Sequence, residues 1–217
     1  DSIEKLGRWP WNRSLIAKAI EKINAGEPKV IGLNFIYSEA EENSGFKELK
    51  IITDIMEKQG ETKSAIYRAM SDALERLDND RKLEQAIKTA NKVILPVYFK
   101  ESSAASESKK KLPVYLTSQA IKNVINTDIS PFPEGSDIVM PIPIFAQAAK
   151  GLGHVNTAYD RDGKVRRERL LYRYSDIYVP SYALKLAAVY LNLSADNIQA
   201  ALGDSLQIGS LELLTTS

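Results

Sequence analysis

The sequence predicts an α/β fold: a three-layer α/β/α sandwich around a mixed central sheet, with a long β-hairpin in the C-terminal half. Three observations carry this reading. A helical stripe (Leu15, Ile16, Ala19, Ile20, Ile23) runs directly into an apolar run interrupted by Asn34, VIGLNFIY at 30–37, and such a run suits a strand covered on both faces. A second run of the same kind, VILPVYF at 93–99, follows three further helical stripes. The stretch 151–174, GLGHVNTAYDRDGKVRRERLLYRY, places Asp162-Gly163 between two strand-like runs. Asp-Gly in that setting is a strong hairpin signal, because glycine accepts positive φ without steric cost. Helices alternating with buried strands make a layered α/β domain.

In chain order, Asp1-Ser2 before IEKLG reads as a capped helical turn ended by Gly7. In RWPWNR (8–13), Pro10 suits a helix start, and Gly26 and Pro28 end the helix that follows. Helices are expected over 46–58, over a stripe from Ile66 to Leu77, and from a cap at Asp80 through Asn91. Pro96 inside the 93–99 run implies an edge strand or a bulge. KESSAASESKKK (100–111) is the one low-complexity segment and is expected to be a mobile surface loop. A short strand is expected at 114–116, a helical turn at 118–125, and an irregular loop around Pro131, Pro133 and Gly135. A short helix within 140–150 delivers the chain to the 152–174 hairpin. Ser181 begins another helix with Leu184, Ala187, Ala188 and Leu191 inside, Ser194 caps a short helix ending at Gly203, and LQIGSLEL closes the chain as a hairpin turning at Gly209-Ser210. No repeat of fixed period is present.

With 217 residues, 44% hydrophobic and 26% charged, the chain can bury a sizeable core as a single domain. The net charge of +1 gives nothing for nucleic acid to bind as a whole, although local patches remain open to anions. Zero cysteines exclude disulfides, thiol nucleophiles and thiolate metal sites. No run approaches the ~20 apolar residues that span a bilayer. The chain starts at Asp1 without methionine and is expected to be a piece of a larger protein.

The chemistry-bearing residues concentrate in 151–174. On an extended KVRRERLLYRY, Val165, Arg167, Arg169, Leu171 and Arg173 share one face, and Lys164, Arg166, Glu168, Leu170, Tyr172 and Tyr174 the other. Arginines among apolar neighbours either snorkel to water and form structural ion pairs or clamp a ligand. Arg166, Arg167 and Arg169, with His154, Asn156 and Tyr159 on the partner run, are the candidate ligand-binding set, since guanidinium forks suit carboxylate or phosphate. His154, the only histidine, has a structural reading beside an acid–base one. Asp160 and Asp162 are turn-formers, or oxygen donors to a hard cation. Trp9 and Trp11 flank Pro10 and anchor the helix start, in the core or at a dimer contact. No GxSxG elbow, P-loop, post-strand GxGxxG or HExxH is present, and a single histidine cannot build a histidine-rich zinc site. No catalytic residue, metal or cofactor is assigned.

RWPWNR, then VIGLNFIYSE, then GLGHVNTAYDRDGKVRR, in this order and rough spacing, resemble the type-2 CHASE domain, the cyclase/histidine-kinase-associated sensory extracellular domain. The resemblance runs from Asp1 to about Leu213. It implies a bacterial domain outside the cytoplasmic membrane, periplasmic or extracellular, placed after one membrane helix and before several more. It also implies fusion to histidine kinases, nucleotide or diguanylate cyclases, or serine/threonine kinases. On that basis Trp9, Trp11 and Arg13 are interface or structural residues. Asn12 stands where the family often has a second proline, and Asn34 where it usually has aspartate. The helical stretch 46–91 is longer than the common version. The family's usual opening strand is absent, so an unpaired sheet edge beside 30–37, or another segment filling the slot, is expected.

The leading expectation is therefore a non-enzymatic input domain. It meets an unidentified small molecule or periplasmic partner, dimerises in its parent receptor and connects to the membrane through flanking helices. A dimerisation or scaffold domain without a small ligand is the alternative, and a hydrolytic enzyme stands well behind both.

Overall fold

A computed structural model describes residues 2–101, 111–126 and 134–215. The loop expected at 100–111 lies almost wholly outside the described residues, as do Pro131 and Pro133. Helix α1 (Ser2–Leu6) precedes α2 (Arg13–Asn24), strand β1 (Ile31–Gly32), α3 (Ser44–Lys58), α4 (Ala65–Leu77), α5 (Asn79–Ala90) and β2 (Val93–Lys100). Then come α6 (Val114–Thr117), β3 (Asn123–Asn126), β4 (Asp137–Val139), α7 (Pro143–Ala148) and β5 (Gly151–His154). The chain finishes with β6 (Leu171–Tyr174), β7 (Ile177–Pro180), α8 (Tyr182–Tyr190), β8 (Ile198–Leu202), β9 (Ser205–Ile208) and β10 (Leu211–Leu214).

The fold is α/β with mixed sheets. In the main sheet β2 is central, parallel to β5 on one side (Ile94 opposite Gly151, Val97 opposite His154). On its other side β2 is parallel to β1 (Ile31 opposite Val93) and, further along, antiparallel to β4 (Phe99 opposite Ile138). Side-chain alternation sends Val93, Leu95, Val97 and Phe99 into one core with Leu83 and Ile87 of α5 and Ile16 and Ile20 of α2. Each of the fully buried aliphatic side chains contributes roughly 1.5–3 kcal/mol. The opposite face meets α8 so closely that β5 carries glycine there: a Cβ at Gly153 would lie 2.6 Å from the Tyr182 Cα. The other side of α8, through Leu184 and Ala188, packs on a second sheet ordered β10-β9-β8-β3. Of that sheet the sequence announced the β9–β10 hairpin but neither β8 nor β3.

Pro96 sits in the central strand, not at an edge. Backbone groups of even-numbered β2 residues face β1 and β4: Ile31 N donates to Lys92 O, and Ser136 N to Lys100 O. Pro96 falls between the β1 and β4 pairings, so its missing N–H has no partner to disappoint.

Several expectations are corrected. The 30–37 strand shrinks to Ile31–Gly32, because Phe35 turns to stack on Trp9 at 5.1 Å and Tyr37 packs against Phe145 at 5.6 Å. β1 lies at the rim, and among the described residues no strand pairs its outer edge. The 152–174 hairpin is not one long ribbon: β5 belongs to the main sheet and β6 pairs with β7, leaving a strap over 155–170. Helix α2 starts at Arg13 under an Asn12 cap, not at Pro10. α5 is capped by Asp78, whose side chain accepts from Arg81 N at 2.8 Å, which frees Asp80 for Arg13. The segment 114–116 is helical, and 118–125 leads into β3. Beyond a 3-10 turn (Ala195–Asn197), the chain after Ser194 is strand β8, where Ile198, Ala200 and Leu202 are buried with period two.

Candidate functional site

The strap 155–170 is fastened at both ends. Val155 N still reaches Val97 O (2.9 Å), but one residue later the backbone leaves the sheet and the Asn156 side chain replaces it. Asn156 Nδ2 donates to Phe99 O at 2.7 Å, and Phe99 N donates to Asn156 Oδ1 at 2.8 Å. The buried amide thereby satisfies two buried backbone groups that would otherwise be orphaned. The strap folds back through an isolated bridge between Ala158 and Arg167 and a turn in which Asp160 N donates to Lys164 O (2.9 Å) and Gly163 takes φ +76°. The Asp-Gly signal thus marks a turn, though not a long hairpin.

Arg166 locks that turn. Its Nη1 donates to Asp160 Oδ2 (2.7 Å) and Asp162 Oδ1 (2.9 Å), and its Nη2 to Asp162 Oδ2 (2.7 Å). The Arg166 guanidinium holds the Asp162 carboxyl below the usual carboxylate range, helped by Lys164 N–H. The two aspartates thus act as turn-formers paired with arginine. At the far end Arg169 Nη1 and Tyr172 Oη both donate to Glu101 Oε1, at 2.8 and 2.9 Å. Burial, reinforced by Glu101, pushes the Tyr172 phenol well up.

His154 lies beneath the strap. Its ring is fully buried against Tyr172 (5.4 Å) and Phe99 (6.4 Å), and neither ring nitrogen has a hydrogen-bond partner among the described residues. Burial drives its pKa from 6.5 to about 3, and the Arg169 charge adds to the effect. The imidazole is neutral at any physiological pH.

Arg13 forms a second cluster. Its guanidinium lies over Tyr37 (4.9 Å) and Phe145 (5.2 Å), bonds Asp80, and donates to the Glu39 carbonyl. Arg13 N donates to Glu41 Oε1 (2.8 Å), and Glu41 N to Asp80 Oδ2 (3.0 Å). Burial pushes the Tyr37 phenol to about 12, against the opposing pull of Arg13. Trp11 Nε1 donates to Gly7 O (2.9 Å), whereas Trp9 remains 51% exposed beside Phe35 at 40%.

The candidate set is therefore divided. His154 and Asn156 are core residues, Arg166 and Arg169 are held by carboxylates, and Tyr159 (72% exposed) and Arg167 face solvent. Arg167 is the member of the set whose guanidinium has no partner among the described residues. Two shallow clefts of about 220 and 240 Å³ lie beside α3, and none of the six residues lines either. A model of the CHASE2 domain matches residues 1–216. The chain belongs to the CHASE2 domain family. No curated protein and no solved structure matches it.

CHASE2 domains are sensory extracellular domains of signalling receptors, so the family is sensory and not catalytic. In this CHASE2 domain no helix among the described residues is long and apolar enough to cross a membrane. Nor does any group of three His, Asp or Glu side chains among them converge to hold a metal ion. Within RWPWNR, Arg13 is accounted for by its cluster. Its acidic partners lie 28 and 67 residues away in sequence, beyond the reach of any local pattern. Glu101 was missed for the same reason. Lys185, buried within α8, had only the faint signal of a charge beside an apolar stripe.

Proposed function

We propose that this CHASE2 domain is the extracytoplasmic input module of a bacterial transmembrane receptor with a histidine kinase, a nucleotide or diguanylate cyclase, or a serine/threonine kinase as output. The family match over residues 1–216 carries the reading. Signalling requires only that a ligand or partner bind one of two arrangements of the domain better than the other, which shifts their populations. The strap is the contact surface we assign. Its turn is locked by Arg166, its base is anchored through Asn156 and Glu101, and Arg167, unpaired among the described residues, is thereby presented on a rigid support to a carboxylate- or phosphate-bearing ligand.

Arg167→Ala is the test. Melting of the domain is followed against a panel of dicarboxylates and phosphate monoesters, where a bound ligand raises Tm by mass action. The variant is expected to keep the ligand-free Tm, since an exposed, unpartnered side chain carries under about 0.5 kcal/mol of stability. It is expected to lose the ligand-induced rise. A rise that survives in the variant refutes the assignment.

A dimerisation module is the second reading, and the stacked, half-exposed Trp9 and Phe35 rings favour it. Sedimentation velocity at two concentrations decides it. Wild-type protein should show a concentration-dependent dimer that Trp9→Ala abolishes, and a monomer at both concentrations excludes this interface.

A further inference from the structure

A helix on the surface of a domain needs one apolar stripe, and α3 has two. Phe46, Leu49, Thr53 and Met56 recur at spacings of three and four and form its less exposed side, where α3 packs on α4. On the opposite side Ile51 and Ile55, one turn apart, are 53% and 49% exposed, and Ile52 beside them is 41% exposed. The three line neither of the clefts beside α3. Helix propensity does not call for them, because isoleucine is a poorer helix former than leucine, lysine or glutamate. Three isoleucines clustered on one exposed side mark a surface that meets another apolar surface.

The charges around the patch say what that surface is. Glu48, Ile51, Ile55 and Lys58 follow one another at intervals of three, four and three, the spacing of a coiled-coil seam, with isoleucines in the middle and opposite charges at the two ends. Glu48 and Lys58 are exposed, and neither forms an ion pair among the described residues. Such a seam complements itself in one direction only. Two copies of α3 laid antiparallel about a two-fold axis set Ile51 against Ile55 of the second copy and Glu48 against Lys58 of the second copy. The symmetry makes each contact twice. A parallel pairing would set Glu48 on Glu48 and Lys58 on Lys58, which is repulsive at both ends.

We infer that the Glu48-Ile51-Ile55-Lys58 seam of α3 is a self-association surface that pairs antiparallel with the same seam of a second copy of this chain. This interface is separate from that of Trp9 and Phe35 and does not depend on ligand binding at the strap. One helix of 15 residues from each copy is a small contact, so the dimer is weak and depends on concentration.

The chain has no cysteine, so introduced thiols report the pairing directly. Glu48→Cys and Lys58→Cys proteins, mixed in a glutathione redox buffer, are expected to form a disulfide-linked heterodimer, in which the Glu48–Lys58 pair at the other end stays intact. Each variant alone is expected to give far less linked product. In sedimentation equilibrium Glu48→Lys should weaken self-association by about tenfold or more, and Glu48→Lys combined with Lys58→Glu should restore it. Both changes are on the exposed seam and should leave Tm unchanged. Trp9→Ala should leave the cross-link intact, which distinguishes this face from the Trp9 interface. Linked product as abundant in either variant alone as in the mixture, no rescue by the double reversal, or loss of the cross-link with Trp9→Ala overturns the proposal. So does a monomeric wild type that co-sediments with phosphatidylglycerol vesicles through Ile51 and Ile55, which would assign the face to a lipid surface.

Discussion

Replacing Arg13 with methionine is expected to lower the unfolding free energy by about 3–5 kcal/mol, the usual cost of removing one partner of a largely buried ion pair. The side chain joins three separate pieces of chain. Its guanidinium bonds Asp80 at the start of α5 and the Glu39 carbonyl in the loop after β1, and it lies over Tyr37 and Phe145 of the core. Methionine fills the same apolar space but leaves Asp80 mostly buried beside Glu41 with its main counter-charge gone. The penalty is therefore the stranded carboxylate more than the lost attraction. Adding Asp80→Asn to the methionine variant should restore a large part of the stability, because it removes that charge. Urea unfolding of wild type and the two variants checks this. A single-variant loss under 1 kcal/mol, or no recovery in the double variant, would show that the cluster is not what holds α2, α5 and the 39–41 loop together.

How much of this was legible in the sequence follows from where each signal originates. Periodic signals were local and survived: α3, α4, α7 and α8, and the closing β9–β10 hairpin, lie where stripes, caps and Gly209 put them. Pairing signals were not local. The run 30–37 is apolar except at Asn34, yet only two residues join the sheet, because Phe35 and Tyr37 are apolar for the sake of Trp9 and Phe145. The strip 151–174 held strand-like residues on both sides of a genuine turn. However, Gly151 and Gly153 are specified by the approach of α8, which commits β5 to the main sheet and leaves β6 to pair with β7. The site suffered likewise. Arginine spacing announced Arg166, Arg167 and Arg169, but their partners Asp160, Asp162 and Glu101 decide which guanidinium stays available.

His154 is expected to make the domain strongly acid-sensitive. In the unfolded chain the imidazole titrates at its ordinary pKa of 6.5, whereas in the fold burial lowers it to about 3. Between those values the unfolded state binds a proton that the folded state refuses. Stability is therefore complete above pH 6.5, falls by about 1.4 kcal/mol per pH unit below it, and levels off near pH 3. Carboxylates add to acid loss below about pH 5, so the readout is a difference: unfolding free energies of wild type and His154→Leu, measured by urea titration from pH 7.5 to 4. Leucine cannot titrate, and at that position it removes two unpartnered ring nitrogens from contact with Phe99 and Tyr172. The two curves should keep a constant separation between pH 7.5 and 6.5, and below 6.5 wild type should fall away from the variant by about 1.4 kcal/mol per pH unit. The cause is the dry aromatic surroundings more than the Arg169 charge. Arg169→Gln should accordingly retain most of the slope, whereas parallel curves for wild type and His154→Leu would mean the imidazole finds a proton partner when the domain is folded.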